Sequence, residues 1–214
     1  MNIRIIEYDE VDSTNEEAKR LVKSATAVAS EAEQSDAIAG DAKQSDAIAG
    51  EAKPGEASSL AGLYGSVVTA RRQTAGKGRR GKSFFSTGGD SIYATFILPP
   101  LSCADPTSSP PEDFITVTAG RAVCEVIEKS TLYIPSIKGV NDVIVGGRKV
   151  CGILAEGVPG AVVLGIGVNI NMEEKDFPEE LREIAGSLIM KKEERSRFFD
   201  SLVETVFKHI RNTA

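Results

Sequence analysis

Between Gln73 and Phe85 the chain reads QTAGKGRRGKSFF, with Lys77, Arg79, Arg80 and Lys82 threaded between Gly76, Gly78 and Gly81. Glycine lets backbone amides come close to a bound group, and the cations add charge-assisted hydrogen bonds, so this composition suits the holding of an anion. Two phosphate-binding patterns overlap here. Gly76, Gly78 and Gly81 spell G-x-G-x-x-G, while Gly76, Gly81, Lys82 and Ser83 spell G-x-x-x-x-G-K-S. Both need a strand before the glycine turn and a helix after it, whose first amides meet phosphate. The residues that follow, FFSTGGDSIYATFIL, offer turn chemistry at Ser86–Asp90 and then a β-branched and aromatic run. No helix is expected there, so both nucleotide patterns are read as coincidences of a glycine-rich loop. An anion clamp, a solvated basic hairpin and a nucleic-acid contact all stay open on composition alone.

Much other chemistry is excluded by counting. The only histidine is His209, and Cys103, Cys124 and Cys151 show no C-x-x-C spacing, so neither a protein-built metal centre nor a histidine-based triad is expected. The odd cysteine number argues against a disulfide framework. Of the 214 residues 41% are hydrophobic, enough for one ordinary core. No apolar run approaches the ~18–20 residues that span a bilayer, and the start MNIRIIEYDE has no leader pattern, so a cytoplasmic protein is expected. The net charge is −6, and five of those negative charges come from Ser24–Leu63, with its seven acids and two lysines. A nearly neutral remainder does not suit a general nucleic-acid coat.

The elements that must carry this loop are legible from periodicity. IRIIEYDEV, GSVVTARRQ, SIYATFILP, LYIPSIK, DVIV, KVCGILAEG and AVVLGIGVNI read as strands, with Gly146-Gly147 as a hairpin turn. DSTNEEAKRLVK opens with cap oxygens and first-turn acids, as a helix should. Apolar residues at 114, 115, 119, 122, 123, 126 and 127 predict a second helix, and Phe198 to Ile210 a last one. The expectation is an α+β domain, one mixed, mainly antiparallel sheet with helices packed on it. QSDAIAGDAK (34–43) is followed at once by QSDAIAGEAK (44–53), after a degenerate copy, SATAVASEAE (24–33). A ten-residue period turns a helix's apolar face by about 80° per copy, so no seam forms. The stretch 24–63 is read as a surface insertion, partly helical or disordered and without chemistry, in a single domain, 1–214.

Four collinear segments resemble the biotin protein ligases. QTAGKGRRGKSFFS is similar to their biotinyl-adenylate loop, and DSTNEEAK to an S-T-N motif. IKGVNDVIVGGRKVCGILAE resembles K-W-P-N-D followed by a turn, G-R-K and G-I-L-x-E, and GIGVNINM a G-x-G-x-N strand. The resemblance implies a biotin/lipoate protein ligase-like catalytic domain that joins biotin to ATP, with Mg2+ arriving on the nucleotide. Biotinyl-5′-AMP would then pass biotin to a lysine of the carrier protein or domain of a biotin-dependent carboxylase.

By the same resemblance Ser13, Thr14, Asn15, Gln73, Gly76, Lys77, Gly78, Arg79 and Lys138 would bind biotin. Arg79, Arg80, Phe84, Asn141, Lys149 and Asn169 would bind ATP or the adenylate, and Lys138 and Arg79 would be catalytic. Ser13 and Thr14 can also serve as helix caps, Lys149 as a hairpin lysine in solvent, and Asn169 as a strand-end turn. Lys138 is expected to be a buried cation whose partner is the ligand. Gly139 and Val140 stand where the family has Trp and Pro, Phe84 where it has Trp, and Lys77 where it has Arg. Neither a winged helix before the domain nor a small barrel after it is expected, and with them no DNA-binding role and no membrane partner; a homodimer is compatible. The rival readings are a lipoate ligase or octanoyltransferase of the same fold, and a nonenzymatic nucleic-acid binder using the basic loop.

Overall fold

The computed structural model describes residues 3–38, 59–86, 88–100 and 112–212, so most of the tandem repeat, most of the proline-rich loop and Cys103 lie outside it. Seven strands form one sheet in the order β1-β2-β3-β7-β6-β5-β4. They are β1 (Arg4–Val11), β2 (Ser66–Gln73), β3 (Ile92–Leu98), β4 (Pro135–Lys138), β5 (Asp142–Val145), β6 (Arg148–Val158) and β7 (Ala161–Val168). The helices are α1 (Thr14–Ile38), α2 (Leu60–Leu63), α3 (Glu112–Ser130) and α4 (Lys192–Arg211). β1 and β2 run parallel, joined through α1 and α2, and every other pairing is antiparallel. The fold is α+β, with a mixed, mainly antiparallel sheet.

The sheet separates two apolar layers, as period-two alternation requires. Val67, Phe96, Leu164 and Ile166 face the large core with α3 and α4, where Phe96 meets Phe207 edge-on at 5.2 Å. Their neighbours Val68, Ile97 and Val163 face α1 and α2. β3, buried at every position, is the centre of both layers. The final helix buries the stripe expected from sequence, Phe198, Leu202, Val203, Val206, Phe207 and Ile210.

The start of the surface insertion is helical, for α1 continues to Ile38. Ala18, Val22 and Ala25, spaced four and three residues apart, form one buried stripe, and Leu63 packs with them. Alanine and glutamate in SATAVASEAE are strong helix formers, so the apolar face of α1 runs on into the first degenerate repeat copy.

α3 and α4 are also clasped by charge. Glu125 meets His209 Nε2 and Lys129 Nζ, each at 2.6 Å. Lys129 first and His209 second hold the Glu125 carboxyl down at about 2, from an ordinary 4.5. A depressed carboxylate stabilises the fold fully above its unfolded value and loses that contribution as pH falls through the folded one. Glu125→Gln should therefore lower stability at pH 6 by less than about 1 kcal/mol, as befits a pair near the surface. In urea titrations that gap should close between pH 4.5 and 2.

Candidate active site

The loop after β2 is a miniature hairpin. Lys77 and Ser83 form a bridge, Gly78 N–H donates to Lys82 O at 2.7 Å, and Phe84 N–H donates to Gly76 O at 2.8 Å. A Cβ on Gly76 would collide with the Phe84 carbonyl oxygen, so this glycine is required by the hairpin itself. Arg79–Gly81 make one 3-10 turn with Arg80 at φ 56°, and the next strand is β3. Among the described residues between this turn and β3 there is no helix of the kind a P-loop or dinucleotide fingerprint needs.

Under this hairpin lies a cleft of about 790 Å3, within the range of small-molecule sites. Ser13, Thr14, Asn15, Gln73, Lys77, Gly78, Arg79, Arg80, Phe84, Lys138, Asn141, Lys149 and Asn169 all line it. Of the residues singled out from sequence, only Gly76 does not, and it sits buried in the hairpin base.

One end of the cleft is a wall of buried, uncharged polar groups. Ser13, just before α1, and Thr14 and Asn15, in its first turn, are 2%, 4% and 4% exposed. Thr14 N–H and Oγ1 reach Gln73 Oε1 at 2.8 and 3.1 Å, and Thr95 Oγ1 lies 2.9 Å from Thr14 Oγ1. Thr95 also donates to Asn15 Oδ1 at 2.7 Å, while Asn15 Nδ2 donates to Glu156 Oε2 at 2.8 Å. Both ends of the Asn15 carboxamide are thus held by protein.

The middle is floored by glycine. Gly152 of β6 and Gly165 and Gly167 of β7 all face the cleft, because Ile153 and Ile166 between them face the large core. A Cβ on Gly152 would stand 2.8 Å from Phe84 Cε2, and one on Gly167 2.6 Å from Phe84 Cε1. Phe84 therefore rests on both glycines, with Tyr93 edge-on at 6.3 Å and Lys149 Nζ 6.0 Å from its ring centre. The Tyr93 hydroxyl is buried and has no hydrogen-bond partner among the described residues.

The other end is cationic. Six cations, Lys77, Arg79, Arg80, Lys82, Lys138 and Lys149, line the cleft against Asp113, Asp142 and Glu183, in a chain whose net charge is −6. Concentrating positive charge against the overall balance is what binding an anion demands. Lys77 is paired with Glu16 at 2.6 Å, Arg79 with Asp113 at 2.8 Å and Lys149 with Asp142 at 2.6 Å. Among the described residues no carboxylate pairs with Arg80, Lys82 or Lys138. Lys138, expected to be buried, is exposed: it ends the edge strand β4, where only one neighbouring strand covers it. Asn169 Nδ2 donates to Gly186 O at 2.9 Å, so its carboxamide also ties the strand end to the following segment.

That segment was not visible in the sequence. Phe177, Leu181, Ile184 and Ala185 close the cationic end, held by the bridges Lys149↔Ala185 and Ile170↔Leu188. Phe177 is buried against Phe85, their ring centres 6.4 Å apart. Two 3-10 turns without periodicity gave nothing to read there. Thr95 was also missed, and Gly152, Gly165 and Gly167, though they fall inside the quoted motifs, were given no role in the site.

Sheet, loop and cleft together define an α+β domain built around a small-molecule cleft, and comparison with known families places it further. Residues 61–173 match the Biotin/lipoate A/B protein ligase family, and the chain belongs to it. A Bifunctional ligase/repressor BirA from Bacillus subtilis is 36% identical over 129 residues, which is 58% of this chain and 38% of that protein. A Biotin–[acetyl-CoA-carboxylase] ligase from Mycobacterium tuberculosis is 33% identical over 139 residues, 62% of this chain and 48% of that one. The chain thus spans less than half the length of these relatives. In fold it is similar to the biotin protein ligase from Aquifex aeolicus in complex with biotin and ATP. The TM-score is 0.65 at 23% identity, covering 97% of this chain and 70% of that one.

Proposed function

We propose that this chain is the catalytic domain of a biotin protein ligase, which condenses biotin with ATP and transfers biotin to a lysine of a carboxylase carrier domain. The observation that carries the reading is the zoning of the cleft. An uncharged polar wall, Ser13, Thr14, Asn15, Gln73 and Thr95, suits a ureido ring, which offers N–H donors and a carbonyl. Phe84, resting on Gly152 and Gly167, gives the middle an aromatic wall, and the cationic end suits a carboxylate meeting a triphosphate. In the first step a carboxylate oxygen attacks the α-phosphorus and pyrophosphate departs. In the second the carrier's amine attacks the acyl carbon, AMP leaves, and the amine's proton goes to solvent. Neither step needs a side-chain nucleophile; the first needs two anions brought together and held, and the second needs the departing AMP stabilised, and fixed cations supply both. In this reading Lys138 and Arg79 serve the reacting carboxylate and phosphate, and Arg80, Asn141, Lys149 and Asn169 hold the nucleotide. Mg2+ would arrive with the ATP phosphates.

A lipoate ligase has the same two steps, but the dithiolane ring of lipoate offers neither N–H nor carbonyl. It would make no polar contact with the wall, whose own network leaves spare lone pairs and N–H groups that a ureido ring can meet. The test is exchange of labelled pyrophosphate into ATP by the purified protein. Exchange is expected with biotin and not with lipoate or without acid. Exchange with lipoate alone would reassign the substrate, and none with either would overturn the enzyme reading.

A further inference from the structure

We propose that Glu156 is a positioning residue that couples the polar wall of the cleft to the basic loop through a charge-balanced chain, Asn15–Glu156–Lys19–Glu16–Lys77. One oxygen of Glu156, on β6, accepts from Asn15 Nδ2 at 2.8 Å, and the other accepts from Lys19 Nζ at 2.6 Å. Lys19 also reaches Glu16 Oε1 at 2.9 Å, and the same oxygen takes Lys77 Nζ at 2.6 Å. Lys77 belongs to the hairpin over the cleft, whereas Lys19 and Glu16 lie on α1. Asn15 continues the chain through Thr95 and Thr14 to Gln73, the last residue of β2. The circuit therefore leaves the loop at its base, crosses β3, β6 and α1, and returns to the loop four residues later.

The arithmetic of charge gives Glu156 its role. Lys77 and Lys19 balance Glu16 and Glu156. Lys77 first and Lys19 second hold the Glu16 carboxyl below its ordinary value, so Glu16 serves two ammonium groups at once. If Glu156 loses its charge, both lysines must share Glu16 alone, and their mutual repulsion falls on Lys77, the partner carried by a loop. The side chains of Lys19, Glu16 and Glu156 are 24%, 27% and 28% exposed, so this repulsion is only partly screened. Glu156 lines a second cavity with the loop but pairs with Lys19 rather than with a loop cation, so removing its charge should loosen the loop through Lys19 and Glu16.

Hydrogen exchange of the amides of residues 76–83, in protein without ligand, tests this directly. Glu156→Gln should speed exchange about two- to fivefold, the range that partly exposed ion pairs command. Glu16→Gln, on the α1 surface, should do at least as much. The decisive variant is Glu156→Gln with Lys19→Gln, which restores the balance and should return exchange to the wild-type rate. A purely structural Glu156 would show no such rescue. Unchanged exchange in Glu156→Gln, or a double variant as loose as the single one, would overturn the coupling. Biotin affinity by calorimetry should follow the same order; affinity that ignores an altered loop would overturn the link to the cleft. This readout alone rests on the biotin reading. Should wild type fail to bind biotin, that reading falls, while the exchange order still judges the circuit.

Discussion

Lys138→Ala is expected to slow adenylate formation by roughly 10²–10³, about 3–4 kcal/mol, while leaving the fold intact. Its three paired neighbours, Lys77, Arg79 and Lys149, already have carboxylates beside them. Lys138 lines the cleft without one among the described residues, at the end of an edge strand and just before the turn at Gly139, whose φ is 64°. An exposed ammonium costs the empty protein nothing. In the proposed reading, once biotin and ATP displace water from the mouth of the cleft, the same charge faces a carboxylate and a phosphate in a lower dielectric. Its attraction then grows as negative charge gathers on the α-phosphate. The loss should thus fall on kcat as well as on binding. Single-turnover formation of biotinyl-adenylate is the measurement, with thermal melting as the fold control. A rate within twofold of wild type in a folded variant would mark Lys138 as a solvated surface lysine. Lys138→Arg should recover part of the rate, since the charge is kept and only its reach changes.

How far this site could be read from sequence depends on how local each signal is. β3 and the stripe on α4 announce themselves through alternation and 3.6-residue spacing, which are properties of a few neighbouring residues. The residues that meet ligand in the proposed reading sit in four short, dense motifs, and the fold brings all but the hairpin glycine Gly76 to one cleft. What the sequence hid is pairing across distance. Thr95 looks like an ordinary strand threonine until β3 is laid beside β7 and α1, which places it opposite Gly165 and under Asn15. Glu156 looks like one more acid at a strand end, and its partners are 137 and 141 residues away. Lys138 failed for a related reason. Burial of a strand residue depends on whether the strand is central or at the edge, and strand order is not written in the strand. The tandem repeat misled in the opposite way: its composition drew attention from the stripe of Ala18, Val22 and Ala25 that carries α1 into it.

Gly165→Ala should damage the site through one methyl group. Gly165 pairs with Thr95 on one side and Leu154 on the other, in the middle of β7. A Cβ there would collide with Asn15 Oδ1 and stand 2.9 Å from Asn15 Cγ, so the carboxamide must move. It cannot move without losing the Thr95 hydroxyl on one end or Glu156 on the other. Overpacking and a broken buried hydrogen bond together should cost about 1–3 kcal/mol of stability. Because Thr95 is shared with Thr14, and Thr14 with Gln73, the polar wall should lose its register and biotin affinity should fall about 10- to 100-fold. Gly157→Ala is the matched control. It lies on β6, where a Cβ would meet nothing within 4 Å, and should change stability by less than about 0.5 kcal/mol. Adding Asn15→Ala to Gly165→Ala separates the two causes. Removing the carboxamide relieves the collision, so the double variant should recover stability relative to Gly165→Ala. It should not recover affinity, because the wall still lacks the group that orients Thr95. If urea titration and calorimetry show both returning together, the collision alone is responsible and Asn15 does not order the wall. If neither changes in Gly165→Ala, strand β7 yields enough to make room, and the glycine floor is not a constraint on the site.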